Sequence, residues 1–185
     1  MARLHSYRDD LRSQLRDDYG KVTYTYTSVL KYIQILKRKE KIINVAQIVL
    51  SAVSTVGLVS MLNVDYFWVK LTSTCVSAFL LALTLYTNRF RLSDDIRLYT
   101  HGSDDYWIIR AEYISLLTDM EDLDTTEIIK RRDALIERTD EANRKYPKTN
   151  KRSYRQAQKA LKKEEEQFFS DTELDMMLPK HLRIK

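Results

Sequence analysis

Two carboxylate pairs, Asp94-Asp95 and Asp104-Asp105, flank His101, and such a set of hard ligands would suit a divalent cation. The competing reading is a solvated acidic turn around Gly102. Nothing else in the chain supplies the partners that catalysis needs. His5, His101 and His181 lie far apart with no ligand spacing, Cys75 is the single cysteine, and no glycine-rich phosphate loop or nucleophile motif occurs. Trp107, Arg110 and Tyr113 recur at i, i+3 and i+6, a spacing more typical of packing than of chemistry. No catalytic residue, metal or cofactor is expected, and the chain reads as a non-enzyme.

The better chemical signal is cationic. In "NRKYPKTNKRSYR", Asn143 to Arg155, Pro147 breaks a helix and Lys148, Lys151, Arg152 and Arg155 crowd the start of the next one. Tyr146 and Tyr154 add aromatic faces. Cations interleaved with aromatics suit the phosphates and bases of a nucleotide or a single strand. Anionic lipid headgroups are the rival ligand. The setting is charge-segregated: Leu92 to Ile129 holds ten Asp/Glu against two Lys/Arg, and Lys130 to Lys163 holds thirteen Lys/Arg against four Asp/Glu. Pairing between neighbouring helices would account for part of that alternation.

A third set of polar residues lies inside two apolar runs. Ile42 to Val64 is 23 residues without a charge, and Leu71 to Asn88 is 18. As a helix the first extends about 35 Å, enough to cross a hydrocarbon core of about 30 Å. Asn44, Gln47, Ser51 and Ser54 share one helical face of the first run, and Ser73, Ser77, Thr84 and Thr87 share one face of the second. Small hydroxyl residues let helices pack closely and bond to one another in lipid. Alternatively, the same stripes line a pore once several copies assemble, because a single pair of helices cannot enclose water.

The elements that must carry these groups read as helices throughout, giving an all-α chain with no convincing strand. Leu4, Tyr7, Leu11 and Leu15 form a stripe that is expected to stop near Gly20, with a second helix starting near Val22 and running into the first span. Trp107, Ile108, Ala111, Ile114, Ser115 and Leu117 mark a later helix, Ile128 to Ile136 the next, and Ala157, Ala160 and Leu161 a third. Ser170 or Asp171 with Glu173 marks the start of a short last helix before Pro179. Lys37, Arg38, Lys39 and Lys41 precede the first run, Arg89, Arg91 and Arg97 follow the second, and Tyr66-Phe67-Trp68 sits near the turn. Basic residues on both outer sides put both termini in the cytoplasm. The expected organisation is N-terminal cytoplasmic helices over 1–41, spans over 42–64 and 71–88, a short external turn over 65–70, and a C-terminal cytoplasmic helical domain over 89–185. The opening "MARLHSYRDDLRSQLRDDYG" has no apolar core, so no cleaved signal peptide is expected.

This order of features resembles the SLATT family of two-transmembrane effectors. Beyond the paired spans, the resemblance rests on "YWIIRAEYISLL" (Tyr106 to Leu117), "YPKTNKRSYRQAQKAL" (Tyr146 to Leu161) and "SDTELDMMLPKHLR" (Ser170 to Arg183). It implies a two-helix transmembrane hairpin in the bacterial inner membrane that assembles as a homo-oligomer. It also implies a role in antiviral defence through pores that damage membrane integrity, and it favours the pore reading of the polar stripes over packing alone. The implied partners are the lipid bilayer, further copies of the chain, an associated nucleotidyltransferase and its nucleotide or single-stranded oligonucleotide product. The ligand set expected for that product is Tyr146, Lys148, Lys151, Arg152, Tyr154 and Arg155. A membrane-tethered scaffold without pore activity is the alternative.

Overall fold

The computed structural model describes residues 2–63, 67–167, 169–179, 181 and 183, with the side chains at 2–6, 58 and 60–63 outside the description. Of the turn expected over 65–70, residues 65 and 66 fall outside the described residues, as does the end of the first run at Val64, and residues 67–70 are helical. Every element among the described residues is a helix: α1 (Ala2–Asn63), α2 (Phe67–Arg89), α3 (Leu92–Asp119), α4 (Thr125–Lys145), α5 (Lys151–Lys163) and α6 (Asp171–Met177). The chain divides into two compact units, one of Met1–Tyr32 with His101–Lys185 and the other of Ile33–Thr100.

Gly20 does not stop the first helix. Leu15, Val22 and Val29 are all buried and recur every seven residues, so one apolar stripe passes through the glycine without changing phase. A mid-helix glycine costs about 1 kcal/mol relative to alanine. Burying a leucine or valine contributes about 1.5–3 kcal/mol each, so the continuous stripe outweighs it.

In the first unit this stripe packs in a bundle. Tyr106, Ile109, Tyr113, Leu116 and Met120 are the buried positions of α3, Ile128, Leu135 and Ala142 those of α4, and Ala157 and Ala160 those of α5. The α3 stripe expected from the sequence is thus displaced. Trp107, Ile108, Ala111, Ile114 and Ser115 are exposed, and the tyrosine-rich face beside them enters the core. The reason is chemical. A phenol buries a large ring while its hydroxyl finds a partner, as Tyr106 does by donating to Asn143 Oδ1 at 3.0 Å. Arg110 is also buried, with its Nε lacking a hydrogen-bond partner among the described residues. Its guanidinium lies 5.4 Å from the Trp107 ring and 5.8 Å from the Tyr19 ring, and these cation–π contacts offset part of its desolvation. Leu15 has no exposed surface. Leu15→Ala is expected to destabilise the chain by about 3 kcal/mol, read as a lower denaturant midpoint of the detergent-solubilised protein.

In the second unit α2 has 23 residues, about 35 Å, and none of them is buried. It contains the stretch that is long and apolar enough to cross a membrane. Phe67, Trp68, Phe79, Leu81 and Leu85 are all exposed, so this apolar surface is not the core of a water-soluble bundle. The later part of α1 lies antiparallel to it. Gln47 Nε2 donates to Thr87 Oγ1 at 3.1 Å, Ser54 and Ser77 share a hydrogen bond of 3.2 Å, and Gly57 meets Ser73. A Cβ at Gly57 would clash with the Ser73 hydroxyl and lie 3.2 Å from its Cβ, so this is a close approach that a larger side chain blocks. Gly57→Leu is expected to cost about 1–3 kcal/mol of pairing and to raise proteolysis between the two helices in detergent.

Candidate functional site

In the first unit a groove of about 900 Å³ runs between α1 and the α4–α5 connection. Local sequence explains its shape. Pro147 ends α4 at Tyr146, and the Asn150 side chain caps α5 by accepting from Ser153 N at 2.8 Å. Ser28 of α1 bonds Thr149 at 2.9 Å and ties the connection to the first helix. At one edge the rings of Tyr24 and Tyr154 sit 5.1 Å apart. Burial pushes the Tyr24 phenol upward in pKa, with Tyr154 adding to the shift.

The groove is lined by three cations, Arg16, Lys21 and Lys148, against one carboxylate, Asp17. Lys21 is already held by Asp17 at 2.7 Å and Asp18 at 3.1 Å. Arg16 and Lys148 have no carboxylate partner among the described residues, which leaves their charge for an anion.

Tyr146 forms the inner wall and is 4% exposed. Its hydroxyl donates to Asp105 Oδ2 at 2.5 Å, and Lys145 Nζ donates to the same oxygen at 3.1 Å. Gly102 packs against the ring, where an added Cβ would lie 3.0 Å from Cγ. The bond from Tyr146 holds the Asp105 carboxyl below its ordinary value of 3.8, with Lys145 assisting, while burial and then Asp105 raise the Tyr146 phenol. Burial, with Tyr146 and Asp105 contributing, pushes Tyr106 up to about 12. A depressed carboxyl pKa means stability present above the ordinary value and lost as pH falls through the depressed one. Tyr146→Phe is therefore expected to cost about 1 kcal/mol at pH 7, given the partial exposure of Asp105. That difference from the parent chain should shrink below pH 3.8, the ordinary Asp105 value, in denaturant titrations at each pH.

Of the six residues expected to hold a ligand, Tyr146, Lys148 and Tyr154 line the groove. Lys151, Arg152 and Arg155 are exposed on α5 outside its lining. Arg16, Tyr24 and Asn143 join the groove although sequence reasoning did not single them out. Nothing in local spacing links residue 16 to residue 148. Only the packing of α1 on the α4–α5 connection does so. Among the described residues no three His, Cys, Asp or Glu come together in a metal-holding group.

In the second unit the eight polar residues of the two runs divide. Gln47, Ser54, Ser73, Ser77 and Thr87 lie in the α1–α2 seam, and Thr84, half-buried, donates to Leu80 O at 2.9 Å. Asn44 and Ser51 are exposed. Thr55, also exposed, donates to Ser51 O at 2.9 Å. Asn44, Ser51 and Thr55 recur at i, i+7 and i+11, a polar flank beside the seam. Near the Gln47–Thr87 bond a cavity of about 470 Å³ is lined by Glu40, Asn44, Asn88 and Arg91 among others.

These features define an all-helical protein, among its described residues, with an exposed apolar helix of membrane-crossing length. The chain belongs to the SMODS and SLOG-associating 2TM effector domain family 4, whose family model matches residues 11–173. Membrane association follows from that membership together with α2. No curated protein and no solved structure matches the chain.

Proposed function

We propose that this chain is a pore-forming effector of bacterial antiviral defence, gated by a nucleotide or oligonucleotide that an associated nucleotidyltransferase makes. The observation that carries the pore reading is the exposed Asn44–Ser51–Thr55 flank on a segment paired with the apolar α2. When several antiparallel pairs assemble as a transmembrane hairpin bundle, these groups face a shared lumen while Ile42, Val45, Val49, Val53 and Val56 face lipid. Residues 42–64 and 71–88 are the two spans in this reading. Basic clusters before and after them keep both termini in the cytoplasm and the inner membrane as the site of action.

The groove supplies the ligand site. Arg16 and Lys148 engage phosphate, and Tyr24 and Tyr154 present aromatic surface to a base. α1 and α3 each contribute residues to both units, so a ligand that prefers one arrangement of these helices biases the spans by that preference. The test is membrane potential in cells expressing the protein with and without the nucleotide synthase. Depolarisation in either state supports a pore, and the difference between states gives the sign of gating.

One observation favours a second reading. The hydroxyls and amides in the α1–α2 seam stabilise a single chain's helix pair, as a membrane-tethered scaffold requires. That protein would leave membrane potential unchanged in both states and keep its function when its spans are replaced by a leucine-only pair.

A further inference from the structure

α3 has two apolar faces, and only one is buried by its own chain. Trp107 is 50% exposed, Ile108 46% and Ile114 43%, with exposed Ala111 and Ser115 between them. Exposed acids bracket this stripe, Asp104 at one end and Asp119 at the other, neither with a basic partner among the described residues. The one Lys or Arg of α3 within the first unit, Arg110, is buried. Within that unit the outer face is therefore apolar and acidic and carries no Lys or Arg.

α5 has the opposite character. Ser153, Ala157 and Ala160 are its buried positions, which turns Lys151, Arg155, Gln158 and Lys162 outward on one face. Lys151, Arg155 and Lys162 have no acidic partner among the described residues, whereas Lys159 beside them is paired with Glu164 at 2.6 Å. Their aliphatic stems can cover apolar surface while their heads meet carboxylates.

We propose that the outer face of α3 is covered by the outer face of α5 from a neighbouring copy of the chain. Neither face is self-complementary, because pairing like with like sets Asp against Asp or Lys against Lys. Within one chain both helices already turn their inner faces into the same core, so the two outer faces point away from it. An anionic bilayer is a poor cover for the acid-bracketed stripe. The contact is heterologous, and repetition of a heterologous contact closes a ring when its rotation allows. The inference rests on the assembly proposed above and gives it a mechanism. One helix pair buries less than the roughly 1,200 Å² of a stable interface, so the spans must add to it and the intact chain is required.

The experiment uses the full chain in detergent with Cys75→Ser as background. With Ile108→Cys and Arg155→Cys together, oxidation is expected to give a ladder of dimers, trimers and higher species. Either cysteine alone is expected to remain monomeric. Dimers from Ile108→Cys alone would establish a symmetric contact and overturn the proposal, as would a double variant without a ladder. Asp104→Lys with Asp119→Lys should lower the assembled fraction at least tenfold by light scattering, and Lys151→Glu with Lys162→Glu should do the same. Combining all four should restore it. Basic-face variants that keep full assembly but lose binding to phosphatidylglycerol vesicles would assign α5 to lipid instead. A ladder without ion flux removes the pore and keeps this interface, and flux without a ladder does the reverse.

Discussion

Ion flux through vesicles carrying the Asn44→Leu, Ser51→Leu and Thr55→Leu triple variant should fall at least tenfold relative to the parent chain. The three side chains form the exposed polar flank of the first apolar run. Leucine there replaces groups that hydrate a lumen with groups that favour lipid or a dry contact. The tenfold floor corresponds to about 1.4 kcal/mol in the barrier to permeation. The control is chosen from the seam. Ser54→Ala with Ser77→Ala removes both partners of one hydrogen bond, leaves no orphaned group, and should keep most of the flux. Equal loss in both variants would mean that the seam, not the flank, governs permeation. No loss in the triple variant would remove the flank from the pore. Insertion is checked by membrane fractionation, so that a missing protein is not mistaken for a closed one.

Binding of the synthase product should weaken at least a hundredfold in the Arg16→Glu, Lys148→Glu double variant. Each of these cations lines the groove without a carboxylate partner, so each is available for a charge-assisted bond worth about 1.5–3 kcal/mol. Reversing both also adds repulsion, which places a hundredfold loss, about 2.7 kcal/mol, at the low end of the expectation. Lys151→Glu with Arg155→Glu changes the net charge by the same amount but lies outside the groove, and should weaken binding less than tenfold. Isothermal titration at two salt concentrations distinguishes the cases, because a general electrostatic loss is screened away at high salt and a lost groove contact is not. Equal effects of the two pairs would put the ligand on the α5 surface and not in the groove. Tyr154→Ala should add a smaller loss, since it removes ring surface but no charge.

The helical class, the break at Pro147 and the cap at Ser170 were legible because each is decided within a few residues. Proline ends a helix through its own ring and missing donor, and Ser170 and Glu173 close a capping box across one turn. The apolar runs were legible for the same reason, since length and absence of charge are local properties. The groove was legible in half. Tyr146, Lys148 and Tyr154 stand close together in the chain, but Arg16 and Tyr24 arrive from more than 100 residues away.

Local pattern was not enough at Gly20 and on α3. Glycine is a weak stop signal, worth about 1 kcal/mol, and the burial of Leu15, Val22 and Val29 on one continuous stripe overrides it. On α3 the sequence offers two apolar faces of similar strength. The choice between them falls to the tyrosine face, where Asn143 of α4 meets the Tyr106 hydroxyl and Gly102 makes room for the Tyr146 ring. The polar stripes show the same limit: their periodicity is in the sequence, but whether a hydroxyl faces a neighbouring helix or open space is not. By itself, then, the sequence determined the all-helical class, the apolar runs and the sign of charge along the chain, because these follow from residue type over short spans. Tertiary structure alone decided which face of α3 is buried, which polar groups enter the α1–α2 seam, and which cations share a groove. Those outcomes depend on contacts between segments whose separation along the chain carries no record of them.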